Sequence, residues 1–99
     1  MVFAPQQSQL ELAAQILKAL ADPSRLRVLL QLSKRELSVG EMAESEHEKI
    51  TTVSARLKVL LTARLVKRRR KGQTIFYSLA DEHVLNLVEN AIEHACETH

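Results

Sequence analysis

The stretch KITTVSARLKVLLTARLVKRRRKGQTIFYSLA, residues 49–80, decides the fold. Its first half predicts a helix over residues 50–63, because apolar residues recur there at helical spacing. The residues expected on the buried face are Ile50, Val53, Leu57, Leu60 and Leu61. The outer face is polar and cationic and contains no acid that would repel phosphate.

The second half of this stretch predicts a β-hairpin, because two extended runs flank Gly72. Alternation places Ile75, Tyr77 and Leu79 on one inward face. Five consecutive cations, residues 67–71, occupy the first strand and the tip. A solvated charge run is the ordinary explanation of such a cluster. Its position directly after a helix–turn–helix favours instead a wing that contacts DNA.

Two helical patterns come early in the chain. The first opens at Ser8 or Gln9, and the second spans about residues 23–33. Asp22 is expected to cap the second helix, with Pro23 at its first position, where a missing N–H costs nothing. The residues expected to point inward from it are Leu26, Leu29, Leu30 and Leu32, with Val28 on the flank.

A short third helix is expected to follow the cap residue Ser38, because Glu41 stands three residues later and completes a capping box. Met42 gives this helix an apolar contact. The polar segment over residues 44–49 is expected to form the turn to the helix over residues 50–63. The two helices then make a helix–turn–helix pair.

The final stretch, DEHVLNLVENAIEHACETH over residues 81–99, predicts one amphipathic helix capped by Asp81. Its four candidate metal ligands are Asp81, His83, His94 and Glu97. His83 and His94 share a face but are about 16 Å apart along the axis, so one ion cannot contact both. Each end therefore carries half a site.

Two antiparallel copies of this last helix across a two-fold axis would join unlike halves into two complete sites. Two nitrogen and two oxygen ligands in a closed tetrahedron suit Zn(II), with Co(II) as a surrogate. The alternative interpretation is that these side chains form the solvated face of a plain dimerisation helix.

Composition favours one soluble domain spanning residues 1–99, with 45% hydrophobic and 26% charged residues. The sequence contains neither a membrane-length apolar run nor a pattern like a signal peptide, so we expect a cytoplasmic protein. Its single cysteine, Cys96, excludes an intrachain disulfide.

The net charge of +2 conceals a strong asymmetry along the chain. Residues 49–80 contain nine cations and no acid, which leaves a net charge of −7 on the remainder. This asymmetry indicates a nucleic-acid-binding face.

Nearly the whole chain resembles the ArsR/SmtB family of metal-sensing winged-helix repressors. The resemblance rests on ALADPSRLRVLLQL (19–32), ELSVGEMA (36–43), TTVSARLKVLLTARLV (51–66), RRRKGQTIFYSL (68–79) and the four candidate ligands. In the zinc- and cobalt-responsive branch the last helix has Asp, one residue, His, ten residues, His, two residues, then Glu or His. This sequence matches that pattern without a gap.

The resemblance implies an α+β, mostly helical, winged helix-turn-helix fold: four helices, two strands and a fifth helix, assembled as a homodimer through the first and last helices. The apo dimer would bind an inverted-repeat operator, and zinc would lower its DNA affinity and derepress metal-resistance or efflux genes. Residues expected near base edges are Thr52, Ser54, Ala55 and Arg56. Those expected on phosphates are Thr51, Lys58, Arg68, Arg69, Arg70 and Lys71.

Family behaviour also implies a route that couples metal binding to DNA release. The ring nitrogen of His94 that does not bind metal would donate a hydrogen bond to a backbone carbonyl near Arg64.

Two departures from the family pattern are informative. The third helix lacks the cysteines that other members carry in a motif like ELCVCD, so sensing of arsenite, cadmium or lead there is not expected. The turn before the second helix of the pair has residues 45–48, SEHE, where a glycine is usual.

The main alternative function is a metal-independent DNA-binding regulator, or a redox-responsive one that uses Cys96. An enzyme is not expected, because four protein ligands leave no open position for a catalytic water on zinc. The sequence also shows no nucleophile–base pair and no phosphate-binding loop.

Overall fold

A computed structural model describes residues 3–97 of the protein. The chain forms five helices and a three-stranded antiparallel sheet, and the mostly helical winged helix-turn-helix prediction is confirmed. The elements in chain order are α1 (Gln7–Leu20), α2 (Pro23–Leu32), β1 (Leu37–Ser38), α3 (Val39–Glu46), α4 (Ile50–Thr62), β2 (Val66–Lys71), β3 (Thr74–Leu79) and α5 (Glu82–Glu97). The two-residue strand β1 is an addition to the predicted order.

Local caps determine where the first two helices begin. Helix α1 starts one residue earlier than expected, because the N–H of Gln6 donates to the side-chain oxygen of Gln9 at 2.8 Å and stabilises the first turn. Helix α2 begins as predicted. Asp22 Oδ1 accepts from the backbone N–H groups of Ser24 at 2.7 Å and Arg25 at 3.3 Å. These bonds satisfy N–H groups that have no partner within the helix.

The capping box of α3 is also confirmed. The N–H of Glu41 donates to Ser38 Oγ at 3.2 Å, and the N–H of Ser38 donates to Glu41 Oε1 at 2.9 Å. The helix continues to Glu46, so the turn is shorter than expected. His47 ends the helix with φ 55° and takes the left-handed conformation that glycine usually supplies.

The core is aliphatic and lies between α2, α3, α4, the sheet and α5. Its most deeply buried side chains are Leu29, Met42, Val53, Leu57, Leu60, Leu65 and Val88. Within residues 3–97, no helix combines the length and apolar character needed to cross a membrane.

The predicted burial of three helical residues is wrong. Ile50, the first residue of α4, was expected in the core and is 59% exposed. Leu30 is 38% exposed, whereas Val28, expected on the flank, is only 2% exposed. Helix α2 is thus rotated so that Val28, Leu29 and Leu32 face the core.

Strand β3 is the centre of the sheet, with β1 on one side and β2 on the other. The β2–β3 pairing runs from Val66 opposite Leu79 at the base to Lys71 opposite Thr74 at the tip. Gly72 forms the turn with φ 64°. Tyr77 and Leu79 pack against the core as predicted. Ile75 is largely exposed, because it lies close to the tip of the wing.

Candidate nucleic-acid interface and metal centre

Helix α4 presents a polar face on the side opposite its core residues. Exposed side chains recur on it at positions i, i+3, i+4 and i+7, a spacing that aligns them on one helical surface. These residues are Thr51, Ser54, Ala55 and Lys58. Thr52 and Arg56 lie at the edge of this face and are partly buried. All six residues predicted from the sequence are therefore on, or beside, one surface of the second helix of the pair.

Arg56 is paired within the chain. Its Nη2 donates to Glu48 Oε1 at 3.1 Å, from the residue two positions before α4 begins. Sequence analysis missed Glu48 as a residue of this surface, although an acid directly before a cationic helix was visible in the sequence. The ion pair holds the Arg56 guanidinium toward the N-terminal end of α4.

The cations of β2 alternate between the two faces of the wing. Arg68 and Arg70 lie opposite Tyr77 and Ile75, so they share the face that contacts the core at the base of the hairpin. Lys67, Arg69 and Lys71 occupy the other face.

Arg69 is held by a second acid that sequence analysis missed. Its Nε donates to Glu36 Oε2 at 2.8 Å and its Nη2 to Glu36 Oε1 at 2.7 Å, a bidentate pair. The guanidinium also lies 5.6 Å from the centre of the Phe76 ring. The hydrogen bonds from Arg69 lower the pKa of the Glu36 carboxyl, and the same pair raises the pKa of Arg69. Arg69 thus ties the wing to the residue before β1.

The remaining wing cations are less constrained. Arg70 donates from Nε to the carbonyl of Gly72 at 3.1 Å, which bends it back over the turn. Lys67, Arg68 and Lys71 are exposed and form no side-chain hydrogen bond or close ion pair among residues 3–97, although the charges of Lys67 and Lys71 act on the Glu36 carboxylate from a distance. The positive charge of the wing that is not held in a close ion pair is therefore on these three side chains and on Arg70.

The N-terminal end of α5 brings two candidate ligands together. Asp81 Oδ1 accepts from the N–H of Val84 at 3.3 Å and lies 3.5 Å from His83 Nδ1. Two ligand atoms that each bind one tetrahedral zinc at about 2.0–2.1 Å are about 3.3 Å apart. The His83 and Asp81 side chains are 91% and 58% exposed, so both are accessible to an ion and to another subunit. The donor types and spacing at this end fit half of a zinc site.

The other two candidate ligands, His94 and Glu97, are exposed in the last turns of α5. Within residues 3–97 of one chain, no three His, Cys, Asp or Glu residues come close enough to hold a metal ion. No hydrogen bond joins His94 to the segment around Arg64 in this part of the chain. Arg64 is exposed and left-handed, with φ 61°, directly after α4. The ligand and coupling assignments stay predictions, and a single chain offers two separate half-sites.

A third surface of this chain is apolar. Helices α1 and α5 expose large hydrophobic side chains that no other part of the described chain covers, namely Leu10, Leu12, Leu17 and Leu87. Cys96 is also exposed on α5. Exposed leucines of this kind are typical of a subunit interface.

A helix–turn–helix with a polar and cationic outer face, followed by a basic hairpin, defines a winged helix-turn-helix DNA-binding protein. Comparison with known proteins agrees, because a family model described as a helix-turn-helix domain matches residues 20–69. A transcriptional repressor SmtB homolog from Synechocystis sp. is 42% identical over 90 residues, covering 91% of this chain and 68% of that protein. The transcriptional regulator KmtR from Mycobacterium tuberculosis is 46% identical over 90 residues, covering 88% and 69%.

Among solved structures, a homodimeric winged helix-turn-helix DNA-binding domain from Mycobacterium bovis superposes with a TM-score of 0.87. It is 32% identical, and the match covers 98% of this chain and 92% of that one. The chain belongs to the ArsR/SmtB family of winged-helix transcriptional repressors. It is a DNA-binding regulator and not an enzyme.

Proposed function

We propose that the protein is a zinc-responsive repressor whose apo homodimer binds an inverted-repeat operator and whose DNA affinity falls when Zn(II) binds between the two α5 helices. The observation that carries the proposal is the 3.5 Å approach of Asp81 and His83 at one end of α5, with His94 and Glu97 at the other. This arrangement supplies half a tetrahedral site at each end of one helix.

The homodimer follows from the apolar surface of α1 and α5. Burial of four exposed leucines, Leu10, Leu12, Leu17 and Leu87, gives a favourable free energy for association. If the α5 helices run antiparallel across the two-fold axis, Asp81 and His83 of each protomer approach His94 and Glu97 of the partner subunit. Two sites per dimer result from one symmetric contact.

The donor set fits a regulatory zinc better than a catalytic one. Two imidazole nitrogens and two carboxylate oxygens complete a tetrahedron and leave no position for water. Co(II) accepts the same ligands and serves as a spectroscopic surrogate. Residues of α5 from both subunits would hold the metal, and this shared site would fix the relative orientation of the two protomers and with it the distance between the two α4 helices.

DNA recognition is assigned to α4 and the wing. We assign Thr52, Ser54, Ala55 and Arg56 to base edges, and Thr51, Lys58, Arg68, Arg69, Arg70 and Lys71 to phosphates. Metal and DNA are then negatively coupled ligands, and each lowers the affinity for the other by the same factor. The coupling route runs from the second ring nitrogen of His94 to a carbonyl near Arg64, at the end of α4.

The regulated genes are proposed to encode metal resistance or efflux, because release of DNA by excess zinc would then lower its concentration. Residues 1–99 act in this proposal as one DNA-binding domain that also carries the dimerisation and sensing helix. The cytoplasm is the compartment where such a regulator meets both its operator and the metal.

Fluorescence anisotropy of the purified protein on a labelled duplex from its own upstream DNA tests the proposal, with Zn(II) titrated at fixed salt. We expect DNA release when the added zinc equals the number of sites. His83→Ala should abolish the response, because it removes one ligand from each site. His47→Asn is the matched control, since His47 is exposed outside α5 and asparagine tolerates its left-handed backbone.

His94→Asp separates binding from signalling. The carboxylate still binds metal but has no second ring nitrogen, so zinc should bind without releasing DNA. Release of DNA from this variant would refute the coupling route. Unchanged DNA affinity of the wild type with zinc bound would make the site structural, and absence of zinc binding would leave α5 as a dimerisation helix only.

A further inference from the structure

Ile50 is the most exposed large aliphatic side chain of α4, and it lies outside the surface assigned to the dimer. Ile50 is 59% exposed and begins α4, whereas the leucines of α1 and α5 belong to the surface assigned to the partner subunit. Its helical neighbours Val53 and Leu57 are buried, so the backbone of α4 holds Ile50 at a fixed position beside Thr51. Ile50 shares the helical stripe of Val53 and Leu57 but is exposed, because it stands at the N-terminal end of that stripe.

The surroundings of Ile50 indicate what contacts it. It lies near the start of the segment over residues 49–80, which carries nine cations and no acid, and the acid directly before that segment, Glu48, is paired with Arg56. The excess charge of this segment is therefore positive and attracts a polyanion. In helix–turn–helix proteins the N-terminal residues of the second helix contact base edges in the major groove. Thymine presents a C5-methyl group on that edge, and apolar side chains contact it.

We infer that Ile50 is a specificity-determining residue that packs against a thymine methyl group in each operator half-site. The inference rests on the proposed DNA-binding function and adds a chemical preference at one base pair. The contact contributes a favourable apolar term to the free energy of DNA binding, and this term does not depend on salt. The phosphate contacts, in contrast, weaken as the salt concentration rises.

Replacement of thymine by deoxyuridine tests the inference, because it removes only the C5-methyl group. The probe is a duplex selected by the full-length protein from a random pool, with each thymine replaced in turn and affinity measured by anisotropy. Each half-site should contain one thymine whose replacement weakens DNA binding by about fourfold. This is the change in affinity expected for the loss of one buried methyl group. The same replacement should leave the affinity of Ile50→Ala unchanged.

Val59→Ala is the matched control, because Val59 is a partly exposed aliphatic residue of the same helix, more than two turns from Ile50. It should keep the full fourfold penalty. Circular dichroism and the affinity for a random duplex at low salt show whether Ile50→Ala is folded. If they are altered, Ile50→Val supplies the test, since it keeps a branched side chain and should retain part of the penalty.

Two results would overturn the inference while leaving DNA binding intact. One is a selected site where no thymine replacement weakens binding. The other is a penalty that is equal in wild type and Ile50→Ala, which would assign the methyl contact to another residue. Failure to select any sequence would instead refute sequence-specific operator binding and, with it, this inference.

Discussion

Helices α4 and α5 have similar lengths but different packing. Helix α4 buries Val53, Leu57 and Leu60 in the core of its own chain, while α5 buries Val84 and Val88 and leaves Leu87 42% exposed. The outer face of α4 is polar and cationic, whereas α5 carries acids and no lysine or arginine. One chain therefore carries both elements of the proposed DNA-contacting surface. It carries only half of each proposed metal site, so the proposed sensing would require a second chain.

The largest expected effect tests this difference in packing. Leu60→Ala removes a side chain with no solvent exposure and should lower the free energy of unfolding by about 2–5 kcal/mol. Leu87→Ala on α5 should cost less than about 1 kcal/mol within one chain and act mainly by weakening dimerisation. Urea unfolding at several protein concentrations separates the two effects, because only the Leu87→Ala deficit should depend on concentration. Equal, concentration-independent losses would show that α5 is packed like α4.

The second largest effect concerns the salt dependence of DNA binding, which should depend more on unpaired cations than on paired ones. Arg68 has no partner in residues 3–97, so Arg68→Ala should reduce the salt dependence of DNA binding by about 0.9 in the log–log slope for each protomer. The double variant Glu36→Gln with Arg69→Gln removes a pair with no net charge, so it should reduce the slope by less than Arg68→Ala does, although Arg69 is also assigned to phosphate. Affinity measured by anisotropy over a range of salt concentrations gives both slopes. A reduction as large as that of Arg68→Ala would mean that Arg69 leaves Glu36 when DNA binds.

A smaller loss of stability is expected when the N-terminal capping residues of α2 and α5 are replaced. Asp22 accepts two backbone N–H groups and the Ser24 hydroxyl at the start of α2, while Asp81 accepts one N–H at 3.3 Å at the start of α5. Asp22→Ala should lower Tm by about 4–8 °C. Asp81→Ala should lower it by less than half as much in buffer with a chelator. Thermal denaturation followed by circular dichroism measures both, and a larger loss for Asp81→Ala would mean that α5 depends on its cap more than on packing.

The smallest effect concerns pH. Hydrogen bonds from Arg69 lower the pKa of Glu36 below its ordinary 4.5. The folded state therefore favours the ionised carboxylate, and this contribution is present above pH 4.5 and is lost as pH falls through the lowered pKa. Wild type should exceed Glu36→Gln in Tm by on the order of 2 °C at pH 7, because exposed pairs contribute little. The difference should shrink as pH falls below 4.5 and disappear below the lowered pKa. A difference that does not change with pH would exclude the ion pair as its cause.

Local signals in the sequence were sufficient for most of the fold. The cap Asp22, the capping box of Ser38 with Glu41, and the turn at Gly72 each depend on residues within a few positions of one another, and all three are confirmed. Helical periodicity predicted α4 as well. It located a buried face but not the end of the helix, which is why Ile50 was placed in the core.

Features that depend on distant parts of the chain were not predicted. Strand β1 has two residues, too few for a period-2 pattern, and it forms only because β3 supplies its hydrogen-bonding partner. The Glu36–Arg69 pair joins residues 33 positions apart. The orientation of α2, with Val28 inward and Leu30 outward, depends on the helices packed around it.

The candidate sites also combine features that local sequence predicts with features that depend on distant residues or on a second chain. Local position was enough to predict the two pairs of candidate ligands: Asp81 and His83 lie at the N-terminal end of α5, and His94 and Glu97 are three residues apart in its last turns. Their completion depends on a second chain, which no spacing within one sequence can place. The outer face of α4 was predicted correctly, but the Glu48–Arg56 pair was missed, because it depends on the left-handed turn at His47.

The short strand β1 also has a consequence for motion. It pairs with β3 only at Tyr77 and Phe76, so beyond these residues the wing is a two-stranded ribbon. Two-stranded ribbons are marginally stable on their own, and such segments open locally at low free-energy cost. The backbone of Arg70 and Lys71 is therefore expected to open more easily than the base of the hairpin. If the wing contacts DNA as proposed, ordering this segment would cost conformational entropy and weaken binding.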